Sequence, residues 1–214
     1  MKKRTMIIVI AGLMAFASCK KDEPTEIPET QQTSVMDYLP LTPGNYWVYE
    51  QNYYDSSGNV LNQSWGNDTI EVISDTTINN FTYNRIVEHN FVGFSTPDTT
   101  HYRDSSDCIV NKSGKIIFRL TPGFSFTDYY IYNNDTLCYI DYSRVAQSAA
   151  ITVPAGTFDC LDYQGALYRK EDNYSVPYLF HNHYCENIGL VKKTRLYLSN
   201  LSRLEYNLIS YHIQ

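Results

Sequence analysis

The stretch Thr69-Ile-Glu-Val-Ile-Ser-Asp-Thr-Thr-Ile-Asn-Asn-Phe-Thr-Tyr-Asn-Arg-Ile-Val-Glu88 contains two runs of strand length around an Asn-Asn pair. β-branched and aromatic residues, which favour strands, are frequent from Thr69 to Ser74 and from Phe81 to Glu88. Asn79 and Asn80 lie between the runs and suit a tight turn. The sequence therefore predicts an antiparallel hairpin in this stretch.

The same composition continues to the C-terminus, where polar turn residues separate further strand-length runs. These runs are Lys115 to Leu120, Tyr129 to Tyr132, Thr136 to Tyr142, Cys160 to Arg169, Tyr178 to Cys185, Leu190 to Leu198 and Arg203 to His212. The best helix candidate, Tyr142 to Ala149, has a poor apolar stripe. About ten short strands predict a mainly β fold, either a single antiparallel and strongly curved sheet or an open barrel or sandwich, with little helix. No break divides residues 37–214, which we expect to form one domain.

The N-terminus has the features of an export signal. A basic start, Lys2 to Arg4, precedes an uncharged apolar run from Met6 to Phe16. This run is shorter than the about 20 residues that span a bilayer. Phe16-Ala17-Ser18-Cys19 resembles the lipobox of bacterial lipoproteins. We expect residues 1–18 to be a lipoprotein signal peptide and Cys19 to be lipidated and to serve as a membrane anchor; the alternative is a plain signal peptide with a chance cysteine.

Residues 19–36 are predicted to be a flexible tether, because they are rich in Pro, Glu, Thr and Gln and contain no aromatic residue. Lys20-Lys21-Asp22-Glu23 resembles the short signal that sends Bacteroidetes lipoproteins to the outer face of the outer membrane. The alternative is an ordinary solvated run of charges. We therefore expect a cell-envelope protein of the outer membrane, and the sequence leaves its surface or periplasmic side open.

The charge of the exported chain limits its partners. Without residues 1–18, the chain contains 14 Lys and Arg and 23 Asp and Glu, which gives a formal charge of −9. An acidic domain repels phosphate backbones, which argues against a nucleic-acid partner. The expected membrane contact is the lipid on Cys19, and the oligomeric state is left open.

Three short motifs resemble one family. They are Tyr38-Leu-Pro-Leu-Thr-Pro-Gly44-Asn-Tyr-Trp47-Val-Tyr49, Val153-Pro-Ala-Gly-Thr-Phe158-Asp-Cys160 and Asn187-Ile-Gly189-Leu-Val-Lys192. In this order they resemble hallmarks of uncharacterised Bacteroidetes cell-envelope lipoproteins. The resemblance implies a curved antiparallel sheet and no particular activity.

Four cysteines follow Cys19, and an even number in an exported domain predicts disulfides. Four cysteines allow three pairings. We favour Cys160 with Cys185, because both flank the family motifs, which leaves Cys108 with Cys138. The alternative is that some of them remain reduced as small buried side chains.

Catalytic and metal-binding signals are weak. No nucleophile elbow, metalloprotease motif or phosphate-binding loop occurs. His181, His183 and Cys185 alternate along a strand and could share a face, so the two histidines are a weak zinc candidate. The favoured interpretation is a strand with half-exposed histidines, and we expect no cofactor.

Aromatic residues are the more suggestive signal, with 20 tyrosines in the chain. A candidate ligand surface for a glycan or protein partner comprises Tyr46, Trp47, Tyr49, Tyr129, Tyr130 and Tyr132. The alternative is that these side chains simply pack in strands. Four Asp-Thr triplets resemble the Bacteroidetes O-glycosylation signal, with acceptors Thr69, Thr76, Thr99 and Thr136.

The sequence thus favours an envelope-anchored lipoprotein with a non-catalytic ligand-binding or structural role. Two alternatives stay open. One is an envelope hydrolase with a glycosidase-like pair of carboxylates, which would face each other across a cleft. The other is a half-barrel lipid carrier, which would need an apolar interior larger than its side chains fill.

Overall fold

The structure is a computed structural model that describes residues 33–63, 66–89 and 96–214. The predicted leader, Cys19 and the tether up to residue 32 lie outside the described residues. Residues 33–36, the end of the predicted tether, are described, and Val35 among them is buried in α1. Within the described ranges, no helix is both long enough and apolar enough to cross a membrane.

The described elements are one short α-helix, one 3₁₀ turn and thirteen strands. In chain order they are α1 (Val35–Tyr38), β1 (Tyr46–Tyr54), β2 (Val60–Asn62), β3 (Asn67–Ile78), β4 (Phe81–His89), β5 (Asp98–Ser105), β6 (Cys108–Asn111), β7 (Ile116–Arg119), β8 (Ser125–Tyr132), β9 (Asp135–Val153), β10 (Gly156–Arg169), a 3₁₀ turn (Lys170–Asp172), β11 (Tyr178–Cys185), β12 (Gly189–Leu196) and β13 (Arg203–His212).

These strands form a single antiparallel sheet that curls into a nearly closed barrel with one seam, which confirms the predicted fold class. The order around the barrel is β7-β6-β5-β4-β3-β1-β13-β12-β11-β10-β9-β8, and β2 pairs only with β1. The number of strands exceeds the predicted number of about ten, partly because the sequence does not predict β5 and β6. The helix candidate at residues 142–149 is wrong: it lies inside β9, which pairs with both β8 and β10.

The predicted hairpin is confirmed as the β3–β4 pair. Ile78 faces Phe81 across the turn. Asn79 and Asn80 have φ angles of 51° and 64°, the left-handed conformation that short hairpin turns require. The turn fixes the register as far as Ser74, and a β-bulge between Val72 and Ser74 shifts it by one residue beyond that point.

One end of the barrel is covered by the N-terminal segment, and we call it the closed end. The hydroxyl of Ser34 accepts a hydrogen bond from the backbone N–H of Met36 and caps α1. Val35 and Leu41 are each only 1% exposed. The carbonyl of Asp37 accepts a hydrogen bond from the N–H of Asn187 in the β11–β12 turn. These contacts hold the segment across the strand ends.

The seam lies between β7 and β8, the two edge strands. Side chains bridge it. Lys115 forms an ion pair with Asp128 of β8, and its ammonium lies 5.7 Å from the ring of Tyr130. At the seam, side-chain contacts therefore take the place of the backbone hydrogen bonds that join neighbouring strands elsewhere in the barrel.

Candidate functional site

The barrel encloses a cavity of about 310 Å³ near its closed end, which we call the inner chamber. Leu39 and Leu41 line it from the α1 side, and Ile70, Ile86 and Trp47 contribute to its wall. These apolar side chains come from β1, β3, β4 and the segment after α1. The inner chamber is therefore a space that suits an apolar group.

Aromatic side chains complete the inner chamber without adding charge. The Tyr49 hydroxyl donates a hydrogen bond to the carbonyl of Leu190 at 2.7 Å. Burial raises the pKa of Tyr142, Tyr163 and Tyr184 well above the usual value of 10.0. These phenols stay neutral at physiological pH, so the charged side chains that line the chamber are Glu88, Lys115 and Lys193.

A second cavity of about 670 Å³ adjoins the first, and we call it the outer chamber. Four residues line both chambers: Glu88, Tyr142, Asn182 and Lys193. Among the residues that line the outer chamber, Asp98, Tyr130, Arg195 and Ser199 are exposed, so the chamber opens to solvent there. The barrel thus holds a mostly apolar inner space that adjoins a more polar space open to solvent.

The outer chamber depends on one glycine. A Cβ atom added at Gly165 would lie 2.2 Å from the ring of Phe180, which lines the outer chamber. Gly165 on β10 is the direct partner of Phe180 on β11. Its missing side chain leaves room for the ring, a role that the sequence alone does not reveal.

Two carboxylates line the outer chamber on neighbouring strands. Glu88 of β4 and Asp98 of β5 are direct register partners. They share one side of the chamber, whereas the hydrolase alternative expects carboxylates that face each other across a cleft. This arrangement does not match the geometry on which that alternative depends.

The predicted aromatic ligand surface is divided by the barrel wall. Trp47 and Tyr49 line the inner chamber, and Tyr130 lines the outer one. Tyr46 is 39% exposed and stacks on His212 outside, while Tyr129 and Tyr132 are 60% and 65% exposed. The six residues therefore do not form one surface. Aromatic lining residues that were not predicted are Tyr102, Phe126, Tyr142, Tyr163, Phe180, Tyr184 and Tyr197.

The two histidines of the weak zinc candidate lie together on β11. Nδ1 of His181 lies 2.9 Å from a carboxylate oxygen of Asp162, and Nε2 of His183 lies 3.9 Å from the other. The described part of the chain contains no group of three or more His, Cys, Asp or Glu side chains placed to hold a metal. Cys185 is thus not brought together with the histidines as a third ligand.

His183 predicts a pH dependence of stability. Burial lowers its pKa from the usual 6.5, against the opposing attraction of Asp162. The unfolded chain then binds more protons than the folded one, so the free energy of unfolding falls as pH drops below about 6.5. In urea titrations from pH 7.5 to 5, His183→Gln is expected to reduce this loss, whereas exposed His89→Gln should leave it unchanged. Equal slopes in the wild type and His183→Gln would contradict the assignment.

Neither predicted disulfide is present, and Cys108, Cys138, Cys160 and Cys185 are free, buried thiols. The pairing of Cys108 with Cys138 fails because Cys108 pairs with β5 and β7, while Cys138 pairs with β8 and β10. Cys160 and Cys185 are direct register partners on β10 and β11. Burial, with a contribution from neighbouring Cys185, raises the pKa of the Cys160 thiol to about 12.

The four candidate glycosylation sites differ in exposure. Thr99 on β5 is exposed, whereas Thr69, Thr76 and Thr136 are half-buried. An enzyme that adds a sugar needs access to the hydroxyl. O-glycosylation stays a prediction, and among the four sites Thr99 is the most accessible acceptor.

No protein-family model matches the sequence, and no curated protein is significantly similar to it. Two solved structures resemble the fold, each over 80% of this chain and 96% of the other. One is a Bacteroides fragilis protein provisionally described as exported, with a YmcC-like fold, at 13% identity and a TM-score of 0.47. The other is a Parabacteroides distasonis protein provisionally described as a lipoprotein, at 16% identity and a TM-score of 0.41. At these values the similarity carries no information on function.

Proposed function

We propose that this protein is an envelope lipoprotein, anchored through Cys19, whose barrel binds an amphipathic small molecule without transforming it. The leader and the lipobox-like Phe16-Ala17-Ser18-Cys19 support the anchor. The interior of the barrel supports the binding role. The proposal unites the ligand-binding interpretation of the sequence with the lipid-carrier alternative.

The observation that carries the binding proposal is the pair of adjoining chambers. A mostly apolar space of about 310 Å³ adjoins a more polar space of about 670 Å³. Small-molecule sites in proteins are typically about 300–1,000 Å³ and mostly apolar with a few polar groups. A molecule with an apolar tail and a polar head matches this sequence of environments, with the tail near Trp47 and Ile86 and the head near Glu88 and Lys193.

A glycan fits the interior less well. Leu39, Leu41, Ile70 and Ile86 in the inner chamber offer no hydrogen bonds to sugar hydroxyls, and its polar side chains, such as Thr100, Asn182 and Lys193, are fewer than its apolar and aromatic ones. Burying hydroxyl groups without partners is costly. The tyrosines that could stack on a surface glycan, Tyr129 and Tyr132, lie on β8 and are exposed.

The test is to fill the inner chamber. Thr100 on β5 is half-buried and lines this chamber. Thr100→Trp is expected to weaken binding of the neutral fluorescent probe N-phenyl-1-naphthylamine at least about tenfold, the equivalent of about 1.4 kcal/mol. Probe fluorescence would be titrated against the mature chain, residues 19–214, produced without its lipid.

The matched control is Thr99→Trp, which places the same side chain at the exposed neighbouring position on β5. Thr99→Trp should bind the probe as the wild type does. Circular dichroism would verify that both variants are folded. Unchanged probe affinity in a folded Thr100→Trp variant would refute binding in the inner chamber.

A further inference from the structure

The acidic side of the outer chamber is formed by β4 and β5. Glu88 and Asp98 are register partners and both line this chamber, while Ile86 and Thr100, two residues further along the same strands, line the inner chamber. Glu88 is half-buried and Asp98 is exposed at the opening. Two carboxylates therefore extend from the junction of the chambers to the solvent.

The basic side is formed by β12. Lys193 and Arg195 are two residues apart on this strand and both line the outer chamber. Lys193 is half-buried, with its ammonium 5.2 Å from the ring of Tyr206, and Arg195 is exposed. Strands β3, β1 and β13 lie between β4 and β12. The two cations therefore occupy a different side of the chamber from the two carboxylates.

These four charges do not form ion pairs with one another. Within the described ranges, no ion pair of 4.0 Å or less joins Glu88 or Asp98 to Lys193 or Arg195. In contrast, Lys192, the neighbour of Lys193 on β12, pairs with Glu205 at 2.9 Å. Burying a charge without a partner is costly. The half-buried Glu88 and Lys193 are thus available to groups of opposite sign on a ligand.

We propose that the outer chamber recognises a zwitterionic head group on the amphipathic ligand. An anionic phosphate or carboxylate would lie against Lys193 and Arg195, and an ammonium against Glu88 and Asp98. The tail would lie in the inner chamber, so this inference rests on the proposed function. Charge-assisted hydrogen bonds of this kind are stronger than neutral ones.

The experiment compares four amphiphiles with one chain length as competitors of N-phenyl-1-naphthylamine, each below its micelle concentration. They are 1-myristoyl-lysophosphatidylethanolamine (zwitterionic), myristate (anionic), tetradecyltrimethylammonium (cationic) and monomyristoylglycerol (neutral). The mature chain is expected to bind the zwitterion about tenfold more tightly than the neutral compound, the equivalent of about 1.4 kcal/mol.

Two near-isosteric variants assign the charges. Glu88→Gln is expected to weaken binding of the zwitterion and of the cation about tenfold. It should leave the affinity for the neutral compound unchanged. Lys193→Gln is expected to weaken binding of the zwitterion and of the anion by a similar factor. Lys192→Gln, which alters the neighbouring lysine outside the chamber, should change none of the four affinities.

The outcomes separate this inference from the proposed function. Equal affinity of the wild type for the zwitterion and the neutral compound would overturn the head-group inference and leave amphiphile binding intact. An equal loss for all four compounds in both variants would also overturn it. If none of the four displaced the probe, both the inference and the proposed function would fail.

Discussion

Replacing Trp47 by alanine is expected to remove about 3–5 kcal/mol from the free energy of unfolding. Trp47 is 3% exposed, and its Nε1–H donates a hydrogen bond to the carbonyl of Ile188 at 2.6 Å. The substitution enlarges the inner chamber and leaves that carbonyl without its partner. Because domains are stable by only about 5–15 kcal/mol, this loss is a large part of the total free energy of unfolding.

Urea unfolding monitored by far-ultraviolet circular dichroism measures this loss. Tyr46→Ala is the matched control, since Tyr46 precedes Trp47 on β1 but is 39% exposed and only stacks on His212. The control should lose about 1 kcal/mol. Trp47→Phe, which keeps much of the apolar volume and loses the hydrogen bond, should fall between the two. A urea midpoint of Trp47→Ala no lower than that of Tyr46→Ala would show that the Trp47 ring does not stabilise the barrel in this way.

Replacing Cys19 by alanine is expected to abolish lipidation completely, since no other residue at that position can accept the lipid through a thiol. The wild-type chain from envelope membranes should begin at residue 19 and carry additional lipid mass. The variant should carry none. Each buried methylene group contributes about 0.8 kcal/mol, so the acyl chains account for a durable anchor.

Intact-mass analysis is the decisive measurement, because an uncut leader can also hold a chain in a membrane. Cys108→Ala, which removes a thiol within the barrel, should retain the lipid. If Cys19→Ala produced the wild-type mass apart from the substitution itself, the anchor would have to be assigned elsewhere. The same spectra would reveal O-glycosylation through a mass above that of the lipidated polypeptide, and its loss in Thr99→Ala would assign the sugar to Thr99.

Local chemistry explains why the fold class could be predicted. The turn at Asn79 and Asn80 and the strand-forming residues around it specify the β3–β4 hairpin without help from distant residues. The same holds for β11 to β13, whose predicted bounds lie close to the observed ones. β9 was partly misjudged because Tyr142 to Ala149 lacks the strong apolar alternation that marks a strand with one buried face.

The binding chambers could not be predicted in the same way. In β12, Lys193 and Arg195 face the interior while Lys192 pairs outside, so both faces of the strand carry charge. Charged residues are ordinarily assigned to solvent, and this alternation gives no signal of which face is inside. For the cysteines, the sequence brought Cys160 and Cys185 together correctly but not Cys108 and Cys138, and an even count of cysteines suggested an oxidation that the structure does not show.

The order of strands around the barrel also has a consequence for biosynthesis. Strands β1 and β3 to β7 form one meander of sequential neighbours, and β8 to β13 form another. The two are united through the pairing of the first strand with the last, in which Tyr46 faces His212. Contacts between residues so distant along the chain form slowly, whereas both meanders can assemble from local hairpins. A chain that ended before Arg203 would therefore lack β13, and no strand pairing would join its two meanders.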